Sequence, residues 1–216
     1  MRLQIALDCM GQEEARELAV LLKDEADIIE VGTPLLLRYG LRVVTEIKAL
    51  LPEKPIFADA KIVDAGRFET EEVAKSGADM VSVLAGASFH TLQEAQFVCK
   101  EYGLQLVVDT IDSRRPSGEK VEELQSIQPD FVVLHLPSDL AKTGKNLATE
   151  FLGSPWCSQS FSFMVAGGIH RDALPSILAL LRPAIVVVGS AITLAPSPKR
   201  EAQYFREVIH GFAKQS

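Results

Sequence analysis

The side chains most capable of chemistry follow short apolar runs along the chain. Five such runs end at an ionisable residue: Asp8, Glu30, Asp59, Asp109 and His135. An aspartate after a strand often caps the next helix, and a single histidine is more often a core residue than a catalyst. Several of the five are flanked by small or apolar residues, so we expect them to converge on one cavity rather than to act as separate caps.

Converging carboxylates repel one another, so their burial requires a compensating cation. Lys61 lies two residues after Asp59, and side chains two residues apart in an extended strand point the same way. We therefore expect both to face one cavity. Glu30 and Asp59 are candidate ligands for Mg2+, with Mn2+ as the alternative, because Mg2+ commonly takes only one or two protein carboxylates. The sequence has no His and Cys cluster with zinc spacing.

Glycines end the last two apolar runs, at Gly167 and Gly168 and again at Gly189, which Ser190 follows. A glycine pair can simply form a tight turn. Two such positions on neighbouring strands favour a phosphate site built from backbone N–H groups, where a side chain would block close approach. Backbone dipoles can hold an anion even in an acidic protein.

A repeating pattern of short apolar runs and longer helix-compatible segments, about 25 residues per repeat, must position these residues. We predict eight strands, over residues 3–8, 27–31, 55–59, 79–84, 104–109, 130–135, 161–166 and 184–189. Continuous apolar runs are typical of parallel strands buried on both faces. Apolar residues at intervals of three and four predict helices over 11–24, 40–51, 67–76, 88–102, 117–127, 170–182 and 197–214.

Eight such units predict a (β/α)8 TIM barrel, formed by a single domain over residues 1–216. The alternative is an open doubly wound sheet, but the first turn, Cys9-Met10-Gly11, lacks the G-x-G-x-x-G phosphate fingerprint. In a barrel, chemistry gathers at the carboxyl ends of the strands, where the five ionisable residues are predicted to lie.

A net charge of −7 and an isoelectric point near 5.2 argue against a nucleic-acid surface. No apolar run reaches the ~18 residues of a membrane span, and the chain enters a strand without a secretory segment. We therefore predict a cytoplasmic protein with no nucleic-acid or membrane partner. The three cysteines, Cys9, Cys99 and Cys157, fit neither a disulfide framework nor a metal motif and are interpreted as reduced thiols.

The segment Asp59-Ala-Lys-Ile-Val-Asp64 resembles the D-x-K-x-x-D signature of the orotidine 5′-monophosphate decarboxylase suprafamily. Segments 3–8, 28–34, 77–84, 107–109, 144–146, 165–169 and 187–192 resemble the 3-hexulose-6-phosphate synthases along nearly the whole chain. The nearest related family is the 3-keto-L-gulonate-6-phosphate decarboxylases. Those enzymes typically have arginines where this chain has Ser138 and Ser190, and glutamate in place of Asp109, so these differences favour the synthases.

The resemblance implies a lyase that catalyses a reversible, Mg2+-dependent aldol condensation through an enediolate. Formaldehyde and D-ribulose 5-phosphate would give D-arabino-hex-3-ulose 6-phosphate. Glu30 and Asp59 would hold the metal, which would chelate the enediolate oxygens as a Lewis acid. His135 would be the general base, since an imidazole can accept a proton at neutral pH.

The remaining roles implied by the resemblance concern charge and orientation. Lys61 would stabilise the developing oxyanion, while Asp64 and Asp109 would orient Lys61 and the substrate hydroxyls. Asp8 would contact a hydroxyl or Lys61. A homodimer with its active sites at the interface is also implied, with Asp64 acting in the partner's site.

Two alternatives remain open at this point. The first is 3-keto-L-gulonate-6-phosphate decarboxylase activity, which would use a similar metal-bound enediolate. The second is a non-catalytic barrel that binds sugar phosphates, suggested by Leu136-Pro137 after His135, where the synthases usually have Thr-Gly. Arg114 and Arg115 are interpreted as solvated loop charges, with a phosphate contact as the alternative.

Overall fold

Eight parallel strands close into a barrel in the computed structural model, which describes residues 1–8, 10–158 and 161–213. The strands are β1 (Arg2–Leu7), β2 (Ile28–Val31), β3 (Ile56–Ile62), β4 (Met80–Leu84), β5 (Gln105–Asp109), β6 (Phe131–His135), β7 (Phe163–Ala166) and β8 (Ile185–Val188). Each strand pairs with the next, and β8 pairs with β1. The prediction of a single-domain (β/α)8 TIM barrel is confirmed.

Helices connect the strands on the outside of the barrel. They are α1 (Gln12–Leu22), α2 (Thr33–Tyr39), α3 (Arg42–Leu50), α4 (Gly66–Lys75), α5 (Phe89–Tyr102), α6 (Gly118–Ile127), α7 (Ser138–Ala141), α8 (Leu147–Phe151), α9 (Leu174–Leu181), α10 (Ser190–Thr193) and α11 (Pro198–Ala213), with a 3₁₀ helix at Pro155–Ser158. The sequence did not predict α2, α7, α8, α10 or the 3₁₀ helix, because segments this short show little helical periodicity.

The core has two parts, one between the strands and the helices and one inside the barrel. Along β1, Leu3, Ile5 and Leu7 belong to the outer part, while Ala6 belongs to the inner part. This alternation follows from the two-residue repeat of a strand. The even-numbered strands contribute one inner layer near their amino ends, made of Ile28, Met80, Phe131 and Ile185. The barrel is therefore packed with side chains rather than open, as the fold requires.

The described cysteines are free thiols. Cys99 is buried and Cys157 is half-buried. Burial raises the pKa of the Cys99 thiol to about 12, with a smaller contribution from Asp130, so this thiol stays protonated. Cys9 lies outside the described residues. Among the helices described, none combines the length and apolar character needed to cross a bilayer.

Candidate active site

The inner face of the barrel changes from apolar to polar toward the carboxyl ends of the strands. Glu30 on β2 pairs with Phe57 on β3, and Ser82 on β4 pairs with Val107 on β5. Glu30 and Ser82 therefore occupy equivalent inner positions on their strands. Asp59 and Asp109 are also buried, 7% and 2% exposed. A small cavity is lined by Glu30, Asp59, Asp109 and His135 together with Gln4 and apolar side chains. Four of the predicted residues therefore meet at one place.

Asp59 accepts hydrogen bonds at both carboxylate oxygens. Its Oδ1 accepts from Ser82 Oγ at 2.7 Å, and its Oδ2 lies 2.9 Å from Thr33 Oγ1 and 2.5 Å from Lys61 Nζ. Thr33 and Ser82 come from the neighbouring units, and sequence reasoning missed both. The one available signal for Ser82 was its polarity within the apolar run of β4, whereas Thr33 is an ordinary residue for a helix start.

Lys61 reaches Asp59 and Asp109 through a backbone conformation that differs from the prediction. The sequence predicted a regular extended strand, but Lys61 has a φ of +49°, in the left-handed region, and the pairing of β3 with β4 shifts between Ala58 and Ile62. The Ser82 hydroxyl accepts a hydrogen bond from the Lys61 backbone N–H at 2.8 Å and holds this bend. A left-handed non-glycine residue costs energy and marks a position fixed by its surroundings.

One carboxylate oxygen of Asp109 binds two of the predicted catalytic side chains. Asp109 Oδ2 lies 2.8 Å from His135 Nδ1 and 3.2 Å from Lys61 Nζ, while Oδ1 accepts from the backbone N–H of Ile111 at 2.9 Å. With a proton on Nδ1 donated to Asp109, His135 Nε2 is an acceptor, as a general base requires. This arrangement orients His135 and Lys61 with one buried charge.

The electrostatics of Asp109 and Lys61 favour their charged forms. Burial acts to raise the pKa of Asp109, but the contacts with His135 and Lys61 outweigh it, and the pKa lies below its usual value. Burial acts to lower the pKa of Lys61, and the carboxylates of Asp59 and Asp109 more than reverse this, so that its pKa is raised. The lysine is therefore an ammonium group across the physiological pH range.

Glu30 and Asp8 behave in the opposite way. Burial raises the pKa of Glu30 well above its usual value, and the carboxylates of Asp59 and Asp8 add to the effect, which Gln4 and Lys61 oppose only in part. Burial and Asp59 likewise raise the pKa of Asp8, although Lys61 and His135 oppose the shift. Lys61 is in contact with Asp59 and Asp109, so its charge does not fully compensate Glu30. A bound cation would relieve this situation.

The donor set fits a hard divalent cation. Glu30 Oε2 accepts a hydrogen bond from Gln4, Asp59 Oδ1 accepts from Ser82, and each carboxylate retains lone pairs for a metal. The described residues contain no cluster of three or more His, Cys, Asp or Glu with metal-binding geometry. A cation here would therefore have two protein carboxylates and would complete its shell with water or substrate oxygens, as Mg2+ commonly does.

Asp64 lies apart from the cluster. It is exposed on the loop between β3 and α4, and no hydrogen bond or ion pair joins it to the cavity among the described residues. Within one chain the structure therefore does not bring Asp64 to the other predicted residues. Its neighbours Val63 and Phe68 are apolar and 55% and 68% exposed.

The predicted phosphate-binding residues lie at the carboxyl ends of β7 and β8. Gly167 and Gly168 have φ angles of +101° and +64°, and a Cβ on Gly167 would lie 1.9 Å from the carbonyl oxygen of Leu136. Gly189 precedes α10, which begins at Ser190, and a Cβ there would lie 3.0 Å from Asp8 Oδ2. Close packing is thus one reason for these glycines, and the loops remain candidates for phosphate because first-turn N–H groups have no intrahelical acceptor.

The arginine pair of the loop after β5 lies on a surface cleft. Arg114 Nη1 lies 2.9 Å from Glu150 on α8, and Arg115 and Lys145 line the same cleft. Arg114 is thus paired with Glu150, and the interpretation of Arg114 and Arg115 as solvated loop charges stays a prediction. Leu136, which replaces the usual threonine after His135, is buried beneath Gly167.

A closed (β/α)8 barrel whose strands end in a buried cluster of carboxylates, lysine and histidine defines the class of TIM-barrel enzymes. The profile of the Orotidine 5'-phosphate decarboxylase / HUMPS family matches residues 1–205, and the chain belongs to this family.

Individual relatives extend over the whole chain. The chain is 32% identical over 209 residues to 3-hexulose-6-phosphate synthase of Bacillus subtilis (strain 168), covering 97% of this chain and 99% of the relative. The solved structure of 3-hexulose-6-phosphate synthase from Salmonella typhimurium is 35% identical, with a TM-score of 0.89 and coverage of 98% and 100%. A solved structure of KGPDC from Streptococcus mutans is 25% identical, with a TM-score of 0.90 and coverage of 98% of each chain. The protein is accordingly an enzyme of the lyase class.

Proposed function

We propose that this enzyme catalyses the reversible aldol addition of D-ribulose 5-phosphate to formaldehyde, giving D-arabino-hex-3-ulose 6-phosphate. The observation that carries the proposal is the Asp109 carboxylate, which holds a histidine base and a lysine cation together in a barrel similar over its full length to 3-hexulose-6-phosphate synthases. The reaction needs both groups, since a proton must leave carbon and the resulting negative charge must be stabilised.

The first step is removal of a proton from C1 of the sugar, next to the C2 ketone. His135 Nε2 accepts this proton, because Asp109 Oδ2 lies 2.8 Å from Nδ1 and favours the tautomer with its proton on Nδ1, which leaves Nε2 free to act as a base. The electron pair from the C–H bond moves into the ketone and forms an enediolate. Asp109 stabilises the imidazolium that results, which keeps the proton available for the next step.

The negative charge of the enediolate develops beside Lys61. Its ammonium group is positioned by Asp59 at 2.5 Å and Asp109 at 3.2 Å, so the cation needs little reorganisation when the oxyanion forms. Mg2+, or Mn2+, held by Glu30 and Asp59 would supply Lewis-acid polarisation of the substrate oxygens when bound. Asp8, which directly follows β1, would contact a substrate hydroxyl.

Carbon–carbon bond formation then uses the enediolate as the nucleophile. The electron pair at C1 attacks the formaldehyde carbon, and the C=O π electrons move onto oxygen as an alkoxide. His135 returns its proton to that alkoxide, so protons and charge balance over the cycle. Backbone N–H groups of the loops at Gly167, Gly168, Gly189 and Ser190 would hold the phosphate, which fixes C1 near His135 from a distance.

The test is to incubate the protein with ribulose 5-phosphate and formaldehyde and to measure formaldehyde loss and hexulose phosphate formation. We expect both, and we expect EDTA to abolish them and Mg2+ to restore them. Release of CO2 from 3-keto-L-gulonate 6-phosphate without formaldehyde consumption would instead assign the decarboxylase activity. Binding of either sugar phosphate with no turnover would assign the non-catalytic alternative.

We also propose a homodimer in which Asp64 completes the partner's active site. Asp64 is exposed, and so are its sequence neighbours Val63 and Phe68, at 55% and 68%. On α5, which packs against α4, Phe97 and Tyr102 are also exposed, at 53% and 46%. Apolar surface of this kind marks an association site. The free thiols of Cys99 and Cys157 suit the cytoplasm, which we propose as the compartment.

Mixing two inactive variants tests the shared site. Asp64→Ala and Glu30→Ala each disable every site of a homodimer, but a heterodimer would contain one site with both residues intact. Random exchange of subunits at equal concentrations should therefore restore about a quarter of wild-type activity. If no activity is recovered although native mass spectrometry verifies subunit exchange, Asp64 does not act across the interface.

A further inference from the structure

Gln4 is a polar side chain in an otherwise apolar layer of the barrel. Gln4 lies on β1 and is fully buried. It pairs with Ile28 on β2, and Phe57, Val107 and Met164 on β3, β5 and β7 pair in the same register with the strand that follows each of them. These four residues thus form one layer inside the barrel, contributed by the odd-numbered strands. A buried primary amide costs free energy unless its donors and acceptor are bound.

The amide of Gln4 makes one strong contact and leaves one atom without a partner. Its Nε2 donates to Glu30 Oε2 at 2.5 Å, and both side chains are buried. Its Oε1 is buried and has no hydrogen-bond partner among the described residues. When Glu30 is ionised, as cation binding requires, its carboxylate can only accept, so the NH2 group of Gln4 must face it.

The position of this contact determines which part of Glu30 is available. Gln4 lies one layer closer to the amino ends of the strands than Glu30 and binds Oε2 from that side. Both residues line the small cavity that also contains Asp59 and His135. With Oε2 bound by Gln4, the other oxygen of Glu30 is left for a ligand in the cavity, and Gln4 Oε1 is left for a hydrogen-bond donor.

We propose that Gln4 is a positioning residue that orients the Glu30 carboxylate for cation binding and accepts, through Oε1, a hydrogen bond from the hydration shell of that cation. The inference rests on the proposed function in taking Glu30 as a metal ligand. It explains why an amide occupies a layer otherwise filled by the apolar side chains of Phe57, Val107 and Met164, since an amide offers both a donor to the carboxylate and an acceptor to water. Gln4 itself touches neither substrate nor metal in this role.

The experiment measures cation binding directly, with Mn2+ as the probe and the electron paramagnetic resonance signal of free Mn2+ as the readout, in the absence of substrate. Gln4→Met replaces the amide with an apolar side chain of similar volume. Loss of an outer-sphere contact typically weakens metal binding by about 10- to 100-fold, and we expect the Mn2+ dissociation constant to rise by this factor. Gln4→Leu provides a second variant if Gln4→Met does not fold.

The matched control is Val107→Ala, which perturbs the same layer without a polar contact and should lower the thermal unfolding midpoint but leave Mn2+ affinity within about twofold. Glu30→Gln, which removes the proposed ligand, should abolish binding. If the wild type binds Mn2+ and a folded Gln4 variant binds it equally well, Gln4 only fills the core and the inference is wrong. If the wild type binds no Mn2+, the proposed metal site fails, and the role of Gln4 fails with it.

Discussion

Asp109→Asn is the sharpest test of the active-site geometry, because it removes a charge while keeping the size of the side chain. Asp109 faces hydrogen-bond donors on both sides, with the Ile111 N–H at 2.9 Å from Oδ1 and with His135 Nδ1 at 2.8 Å and Lys61 Nζ at 3.2 Å from Oδ2. A carboxylate accepts on both sides, whereas a carboxamide accepts through its oxygen and donates through its nitrogen. The asparagine can therefore satisfy only one side.

Each orientation of the asparagine has a defined cost. If its oxygen faces the Ile111 N–H, its NH2 group confronts the Lys61 ammonium and donates to His135 Nδ1. The proton of His135 must then sit on Nε2, which can no longer accept one from the substrate. If the oxygen faces His135 instead, two buried donors meet at Ile111, which costs about 1–3 kcal/mol.

The expected kinetic effect follows from the role of the base. General acid–base catalysis contributes about 10²- to 10⁴-fold, so the turnover number should fall by about that factor. Exchange of the C1 proton of ribulose 5-phosphate with D2O, followed by proton NMR without formaldehyde, isolates the step in which His135 acts. The same loss should be found in exchange and in turnover, because both require the base.

Asp112→Asn is the matched control. Asp112 is exposed, it accepts from the Gly86 N–H at 2.9 Å through Oδ2, and an asparagine can keep that bond through its amide oxygen. The rate at which Asp112→Asn exchanges the C1 proton of ribulose 5-phosphate should stay within about twofold of the wild-type rate. A folded Asp109→Asn protein that retains more than about a tenth of the wild-type exchange rate would show that the base step does not depend on the Asp109 charge beside His135.

Three further outcomes are expected. Because burial raises the pKa of Glu30 in the folded protein, its carboxyl group loses its proton at a lower pH in the unfolded chain than in the folded protein. With metal removed by EDTA, the free energy of unfolding should therefore fall as the pH rises from about 4.3 through the folded-state pKa of Glu30. Urea titrations at several pH values would show this, and an equal slope in Glu30→Gln would contradict it. Asp130→Ala removes the carboxylate that accepts a hydrogen bond from the Leu106 N–H at 2.8 Å. The free energy of unfolding, measured by urea titration, should fall by about 1–3 kcal/mol while activity is retained. An unchanged urea midpoint would count against a stabilising role of this contact. Gly167→Ala would place a Cβ 1.9 Å from the Leu136 carbonyl oxygen, on a residue whose φ is +101°. The thermal unfolding midpoint should therefore drop by several degrees. A midpoint equal to that of the wild type would show that the loop accommodates the Cβ without a loss of stability.

The parts of the structure that repeat along the chain could be predicted from the sequence. Most strands are continuous apolar runs, and the spacing of these runs predicts the barrel and the positions of its carboxyl ends. Asp59, Asp109 and His135 could be assigned to the site because each one ends such a run. Their convergence needs only the rule that parallel strand ends share one edge.

The contacts that depend on strand register could not be predicted. Ser82 meets Asp59 because β4 is staggered against β3, and Gln4 meets Glu30 because β1 is staggered against β2; neither stagger is encoded in a local pattern. The left-handed conformation of Lys61 is likewise set by a contact 21 residues away, the hydrogen bond to Ser82. Local propensity does not contain such tertiary constraints.

Aspartates also lie at the opposite end of the barrel, and their position relative to the apolar runs separates structure from chemistry. At the amino ends, three carboxylates each accept from the backbone N–H of the preceding odd-numbered strand, Asp27 from Leu3 at 2.7 Å, Asp79 from Ile56 at 2.7 Å and Asp130 from Leu106 at 2.8 Å. Each of these aspartates precedes an apolar run, whereas the aspartates of the active site end one. Because the amino ends of barrel strands serve stability and the carboxyl ends serve catalysis, an aspartate before a run is expected to hold the barrel closed and one after it to act on substrate. The order of charge and apolar run along the chain therefore distinguishes the two roles before any contact is known.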